Sequence, residues 1–265
     1  MEQNMFIRIL NSEMELATGC TEPGAVALTA AEAGQALRKA GVDKAEEITV
    51  NASINIIKNA MSAGIPGTDY EGMDYAAAIG ALGGDPVYLL EVMNHVPRET
   101  VEAAAALVKA GKVRVNVAQV PQKLYIEVIA KGGGHTGRAI VRDLHTNVVL
   151  VEQDGVATLD KRDTDTTAAG DSDVVSPEQI AVNTTISNEG LSKEYGLAIG
   201  RNLDLNCRKG LMTRDLTTNS MIAAAAGADA RMAGAPVSVV ANSGSGNQGI
   251  TATMPVVAAA HWLDI

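Results

Sequence analysis

Large rings are scarce in this chain of 265 residues: one Phe, one Trp and five Tyr, 3% in all, although 46% of the sequence is hydrophobic. Its core must therefore be filled by Ala, Val, Ile, Leu and Met, and close packing of Ala-rich helices follows. Cysteine is nearly absent too. Cys20 and Cys207 are too few for a disulfide framework and suit a reducing cytosol. An excess of positive charge is missing: 21 Lys and Arg face 31 Asp and Glu, a net charge of −10. That balance excludes electrostatic capture of nucleic acid or of an anionic membrane surface. The first residues, Met-Glu-Gln-Asn-Met-Phe-Ile-Arg, lack the basic region and apolar run of a secretory signal. No apolar stretch reaches transmembrane length without a charge or a glycine. A cytoplasmic globular protein is expected. Familiar catalytic signatures are missing as well: no Gly-x-Ser-x-Gly, His-Glu-x-x-His or Cys-x-x-Cys occurs.

What the chain does have is a glycine-punctuated loop near its end. Asn242-Ser243-Gly244-Ser245-Gly246-Asn247-Gln248-Gly249 runs directly into the apolar Ile250-Thr251-Ala252-Thr253-Met254. Short polar side chains alternating with glycine turn several backbone N–H groups toward one point, and a following helix adds its own unpaired donors. A carboxylate or phosphate fits such a loop, whereas a flexible Gly/Ser linker seldom lies between two apolar segments. It is not a dinucleotide fingerprint, because the Ala-rich segment before it reads as helix, not strand. Cys20 follows Gly19 and precedes Thr21-Glu22-Pro23, a turn at the start of a second helix, where a thiol is favoured as thiolate, ligand or nucleophile.

The remainder reads as α+β. Apolar positions over residues 3–18 come near a helical period, and a second helix runs from about Pro23 to Leu37 with Gly41 as its stop. Residues 46–58 alternate as a strand, residues 75–82 and 97–110 are helical, and 113–117 and 123–129 are strands. Residues 131–134 supply a hairpin turn, and a strand from 138 to 151 holds His145-Thr146-Asn147 rigidly. The organisation expected is an Ala-rich helical part from both chain ends, 1–45 and 176–265, around an α+β module at 46–155, with 156–175 as linker. Within 216–232, Thr217, Thr218 or Asn219 serve as helix caps, and Asp229 and Arg231 sit on the last turn.

Taken together, Gly19-Cys20-Thr21-Glu22-Pro23, Ile56-Ile57-Lys58-Asn59, His145-Thr146-Asn147, Asp229-Ala230-Arg231-Met232 and the 242–253 segment make the chain resemble the L-cysteine desulfidase family, related to the iron–sulfur L-serine dehydratases. The resemblance implies β-elimination from L-cysteine to pyruvate, ammonia and sulfide, with a [4Fe–4S] cluster held by three cysteines. One iron is open as a Lewis acid while a base removes the α-proton. It implies that Cys20 is a cluster ligand and that Asn242, Ser243, Gly244, Ser245, Gly246, Asn247 and Gln248 grip the substrate carboxylate. Lys58, Thr146 and Asn147 complete the pocket, and His145 is the candidate base. The sequence stops at Ile265, soon after the loop, without the family's other two ligating cysteines. The expectation is a truncated chain with its cluster absent or incomplete, catalytically incompetent by itself, and self-associating through uncovered apolar helix faces. L-serine as substrate, or a non-catalytic subunit that binds amino acids or anions, are the alternatives.

Overall fold

The computed structural model describes residues 14–163, 177–242 and 244–265. They form an α+β protein of two compact units, one of residues 21–163 and the other of residues 14–20 with 177–265.

The first unit is built on a six-stranded sheet of order β3-β2-β4-β5-β6-β7, with β2 at Glu47–Ala52, β3 at Val113–Val117, β4 at Tyr125–Gly132, β5 at His135–Arg142, β6 at Val148–Gln153 and β7 at Val156–Asp160. Ile48, Val50 and Ala52 of β2 pair with Ala130, Val128 and Ile126 of β4, and all six are buried on one face. Helix α1 (Thr21–Lys39) lies across β4, β5 and β6, so it belongs with the sheet rather than with the helical part to which composition assigns it. Its other side meets α3 (Met73–Gly83) at a distance that only glycine permits. A Cβ on Gly80 would come within 2.8 Å of Ala27 Cα, and one on Gly34 within 2.9 Å of the Ala81 carbonyl carbon. Helix α4 (Arg98–Lys109) packs on α3, with Glu99 in its first turn and Lys109 in its last, as its sequence predicts.

Three expectations change here. The strand over 46–58 ends at Ala52: Ser53 Oγ donates to Lys123 O at 2.8 Å and accepts from Tyr125 N, and the chain turns into helix α2 (Ile54–Ala60). Its Ile-Asn-Ile-Ile run mimics strand alternation, but only Ile56 and Ala60 are buried, which is a helical spacing. The strand over 138–151 is broken by a turn after Arg142, where Asp143 takes φ 71°. The first residues of the supposed linker, Val156–Asp160, are the last strand of the sheet. The hairpin at 131–134 stands as read, with Gly132 paired to His135.

The second unit holds α5 (Pro177–Ser192), α6 (Ile199–Arg208), α7 (Leu216–Met232), α8 (Gly246–Leu263) and a two-stranded antiparallel ribbon of β1 (Met14–Thr18) and β8 (Ser238–Asn242). Met14–Thr18 is thus strand where the 3–18 pattern suggests helix, because it finds β8, with its β-branched Val239 and Val240, as partner, Met14 opposite Asn242 and Thr18 opposite Ser238. Residues 3–13 of that expectation lie outside the described residues. Ile186, Ala230, Ala235, Val239, Ile250 and Met254 form the core. The cap of α7 is Asp215, whose carboxylate accepts from Thr218 N at 2.7 Å, and not the Thr217–Asn219 group.

Candidate functional site

The glycine-punctuated loop does open a helix, but a strand precedes it. β8 leads into the loop and α8 follows. This corrects the expectation of a preceding helix, yet among the described residues β8 pairs only with β1, antiparallel, and no parallel unit of a dinucleotide fold is formed there. The loop is closed by a two-way bridge, Asn242 N to Ser245 O at 3.1 Å and Ser245 N to Asn242 O at 2.9 Å. Ser245 caps α8, its Oγ accepting from Gln248 N at 3.3 Å. Gly246 and Asn247 then occupy the first positions of α8, where a helix has no carbonyl of its own for their N–H groups. Ser243 lies outside the described residues, while Gly244 takes φ 72°.

The entrance of α8 rests on a buried cation. Arg231, in the last turn of α7, is 3% exposed, and its Nε donates to Gly19 O at 2.9 Å. Its guanidinium occupies the place where a side chain at Gly246 would go: a Cβ there would lie 2.8 Å from Arg231 Cζ and 2.6 Å from Val239 Cγ2. One guanidinium therefore joins the turn before Cys20, the end of α7 and the start of α8. Cys20 itself is 8% exposed and immediately precedes Thr21. A buried positive group beside a helix N-terminus favours an anion at that point. Asn247 Oδ1, in the first turn of α8, is buried with no hydrogen-bond partner among the described residues, an acceptor that a donor would stabilise.

Two further residues hold this arrangement. Asp229, two residues before Arg231, accepts from Gly200 N at 3.0 Å and so caps the first turn of α6. Asn183 of α5, fully buried, accepts from Val240 N at 2.8 Å and donates to Val240 O and to Thr253 Oγ1. Its amide takes the place of a third strand along β8. Neither Arg231 nor Asn183 was among the expected site residues. The signal for Arg231 was a lone cation inside Ala-Ala-Ala-Ala-Gly-Ala-Asp-Ala-Arg-Met-Ala-Gly-Ala, since a charge in so apolar a segment is buried only with partners.

The other expected residues belong to the sheet unit. Lys58 is exposed on the last turn of α2. Its neighbour Asn59 donates to Glu22 Oε1 at 2.9 Å, and Thr21 Oγ1 donates to Glu22 Oε2, so the acid of the Cys-Thr-Glu-Pro turn is held by the Lys-Asn pair's amide. His145, Thr146 and Asn147 lie half-buried in the turn between β5 and β6, not within a strand, and Asn147 Nδ2 donates to Arg142 O at 3.0 Å.

A three-thiolate cluster does not fit the described residues. Among them no group of three or more His, Cys, Asp or Glu converges where a metal ion could be held. Cys207, half-buried on α6, has its Sγ 3.9 Å from Thr213 O. Also among the described residues, no helix is long and apolar enough to cross a membrane.

Residues 27–264 match the family model described as serine dehydratase alpha chain. Similar curated proteins, each named only UPF0597 protein, include one from Oleidesulfovibrio alaskensis at 42% identity over 99% of this chain and one from Chromobacterium violaceum at 39% over 97%. A third, from Dichelobacter nodosus, is 38% identical over 99%. The chain spans 65%, 64% and 65% of the length of these three relatives. No solved structure matches it.

Proposed function

Since the chain belongs to the serine dehydratase alpha chain family, we propose that it is the part of a lyase that binds a small L-amino acid for β-elimination, with L-cysteine as the preferred substrate. The observation that carries this reading is the placement of buried Arg231 between Gly19 O and the side-chain-free entrance of α8. The substrate carboxylate sits against the N–H groups of Gly246 and Asn247, in the field of the guanidinium. Its ammonium meets the buried Asn247 Oδ1. With both ends of the amino acid fixed, the β-substituent is directed to one side, and orientation of that kind lowers the barrier to eliminating it. Cys20, next to Gly19, is the thiol nearest in sequence to that arrangement. An iron–sulfur cluster, if bound, would supply Lewis-acid activation of the leaving group, and it would need thiolates besides Cys20 and Cys207.

L-Serine is the second reading, favoured by the name of the matching family. The two differ in the leaving group, sulfide or water, while pyruvate and ammonia are common to both. Calorimetric titration of the metal-free chain with L-cysteine, L-serine and their D-isomers tests the binding site. Stereoselective binding of an L-amino acid, lost in Gly246→Ala, is the expected result. Absence of binding for every one of these ligands at millimolar concentration would sink the assignment. The ratio of L-cysteine to L-serine affinity in the same titration then separates the two readings.

A further inference from the structure

The sheet of the first unit has two edges, and they are built differently. At one edge, β7 joins β6 with a register shift between Val151 and Glu152, and β6 joins β5 with another between Ile140 and Val141. Such bulges twist an edge away from further pairing. At the other edge, β3 pairs with β2 in unbroken parallel register from Ile48–Val113 to Ala52–Val117. Its sequence is Val-Arg-Val-Asn-Val, without proline or bulge, and Val115 and Val117 are 36% and 50% exposed.

The backbone direction of β3 is fixed by its ends. Ile48 N donates to Lys112 O and Ala118 N to Ala52 O, so even-numbered residues of β3 turn their N–H and C=O toward β2. By the alternation of the ladder, those of Val113, Val115 and Val117 point to the open edge. The side chains of the even positions end a chain of polar contacts that crosses the sheet. Arg138 of β5 bonds Glu152 of β6 at 2.6 Å and Glu127 of β4 at 2.7 Å. Asn51 Nδ2 donates to Glu127 at 2.6 Å, and Asn116 Nδ2 donates to Asn51 Oδ1 at 3.0 Å. Because the Asn116 amide donates inward, its carbonyl oxygen is the acceptor at the edge, two residues from the donor Arg114.

We propose that β3 pairs with β3 of a second copy of this chain, antiparallel across a two-fold axis through Val115. In that register Val115 faces Val115 of the second copy and exchanges both of its backbone hydrogen bonds with it, while Val113 and Val117 exchange theirs reciprocally. All three outward-facing residues of each edge are satisfied, and the valines form one apolar row. Arg114 of each copy stands opposite Asn116 of the other on the polar face, so its guanidinium reaches the amide oxygen left open by the inward bond. The strand is complementary to itself in shape, hydrogen bonding and charge, and no like charges meet.

Sedimentation equilibrium of the full chain at micromolar concentration tests this, with Val115→Lys and Val115→Glu placing like charges on the axis and Val156→Lys placing one on the β7 edge as control. The wild type and the control are dimers. Each Val115 variant is weakened by about tenfold or more, with far-UV circular dichroism and melting temperature confirming that it is folded. Mixing the two Val115 variants restores a 1:1 dimer, because Lys and Glu then face each other. A monomeric wild type, a dimer indifferent to Val115→Lys, or a mixture that stays monomeric would each overturn the proposal.

Discussion

Arg231 and Gly246 form a pair in which neither residue works without the other. The guanidinium needs the volume that glycine leaves, and the helix entrance needs the positive group beneath it. Alanine at 246 would push Arg231 from Gly19 O or α8 from β8, a cost of roughly 1–3 kcal/mol for overfilling a packed site. A lower denaturation midpoint with an unchanged m-value would check it. Lysine at 231 keeps the charge but loses the planar fork. Its expected effect is amino-acid affinity reduced about tenfold, read by titration. Loops of this kind announce themselves in sequence: glycines separated by Ser and Asn next to an apolar run read correctly as a helix entrance with donors to spare. Arg231 and Asn183 do not, since each makes its key contacts with residues far along the chain, at Gly19 and Val240, and side-chain identity alone does not give such partners.

Elements whose caps and charges are local were legible, and those shaped by distant partners were not. α4 carries its acids first and its lysine last, and the β4–β5 hairpin carries its glycines in place. Met14–Thr18 became strand only because β8 was available to pair with it, and Ile54–Ala60 became helix only because Ser53 is claimed by the 123–125 backbone. Two consequences are measurable. Gly80→Ala should destabilise the α1–α3 contact by about 1–3 kcal/mol, and adding Gly34→Ala should cost less than the sum, because helices already separated accommodate the second methyl. Asp215 gives a pH test. Hydrogen bonding from Thr218 N, and then from the Thr218 side chain, holds its carboxyl below the usual aspartate value. A carboxylate depressed in the folded state stabilises fully above its unfolded pKa of about 3.9 and loses that contribution as pH falls through the lower folded value. The melting-temperature gap between wild type and Asp215→Ala should hold constant from neutral pH down to about pH 4 and close below it.

At the scale of the whole molecule, the net charge of −10 predicts no retention of duplex DNA at low ionic strength, about 0.01 M, where any basic patch would act over roughly 30 Å. A gel-retardation assay in that buffer reads it directly. The division into two units was less legible than the charge. Composition groups α1 with the other Ala-rich helices, yet α1 covers the sheet, because a six-stranded sheet needs an apolar helix over its face as much as helices need one another. That division falls between Cys20 and Thr21, inside the Gly19–Pro23 signature itself. Cys20 belongs to one unit and Glu22 to the other, although they are two residues apart. A recombinant exchange of either unit with a relative would have to cut this signature, so a chimera seam belongs elsewhere along the chain.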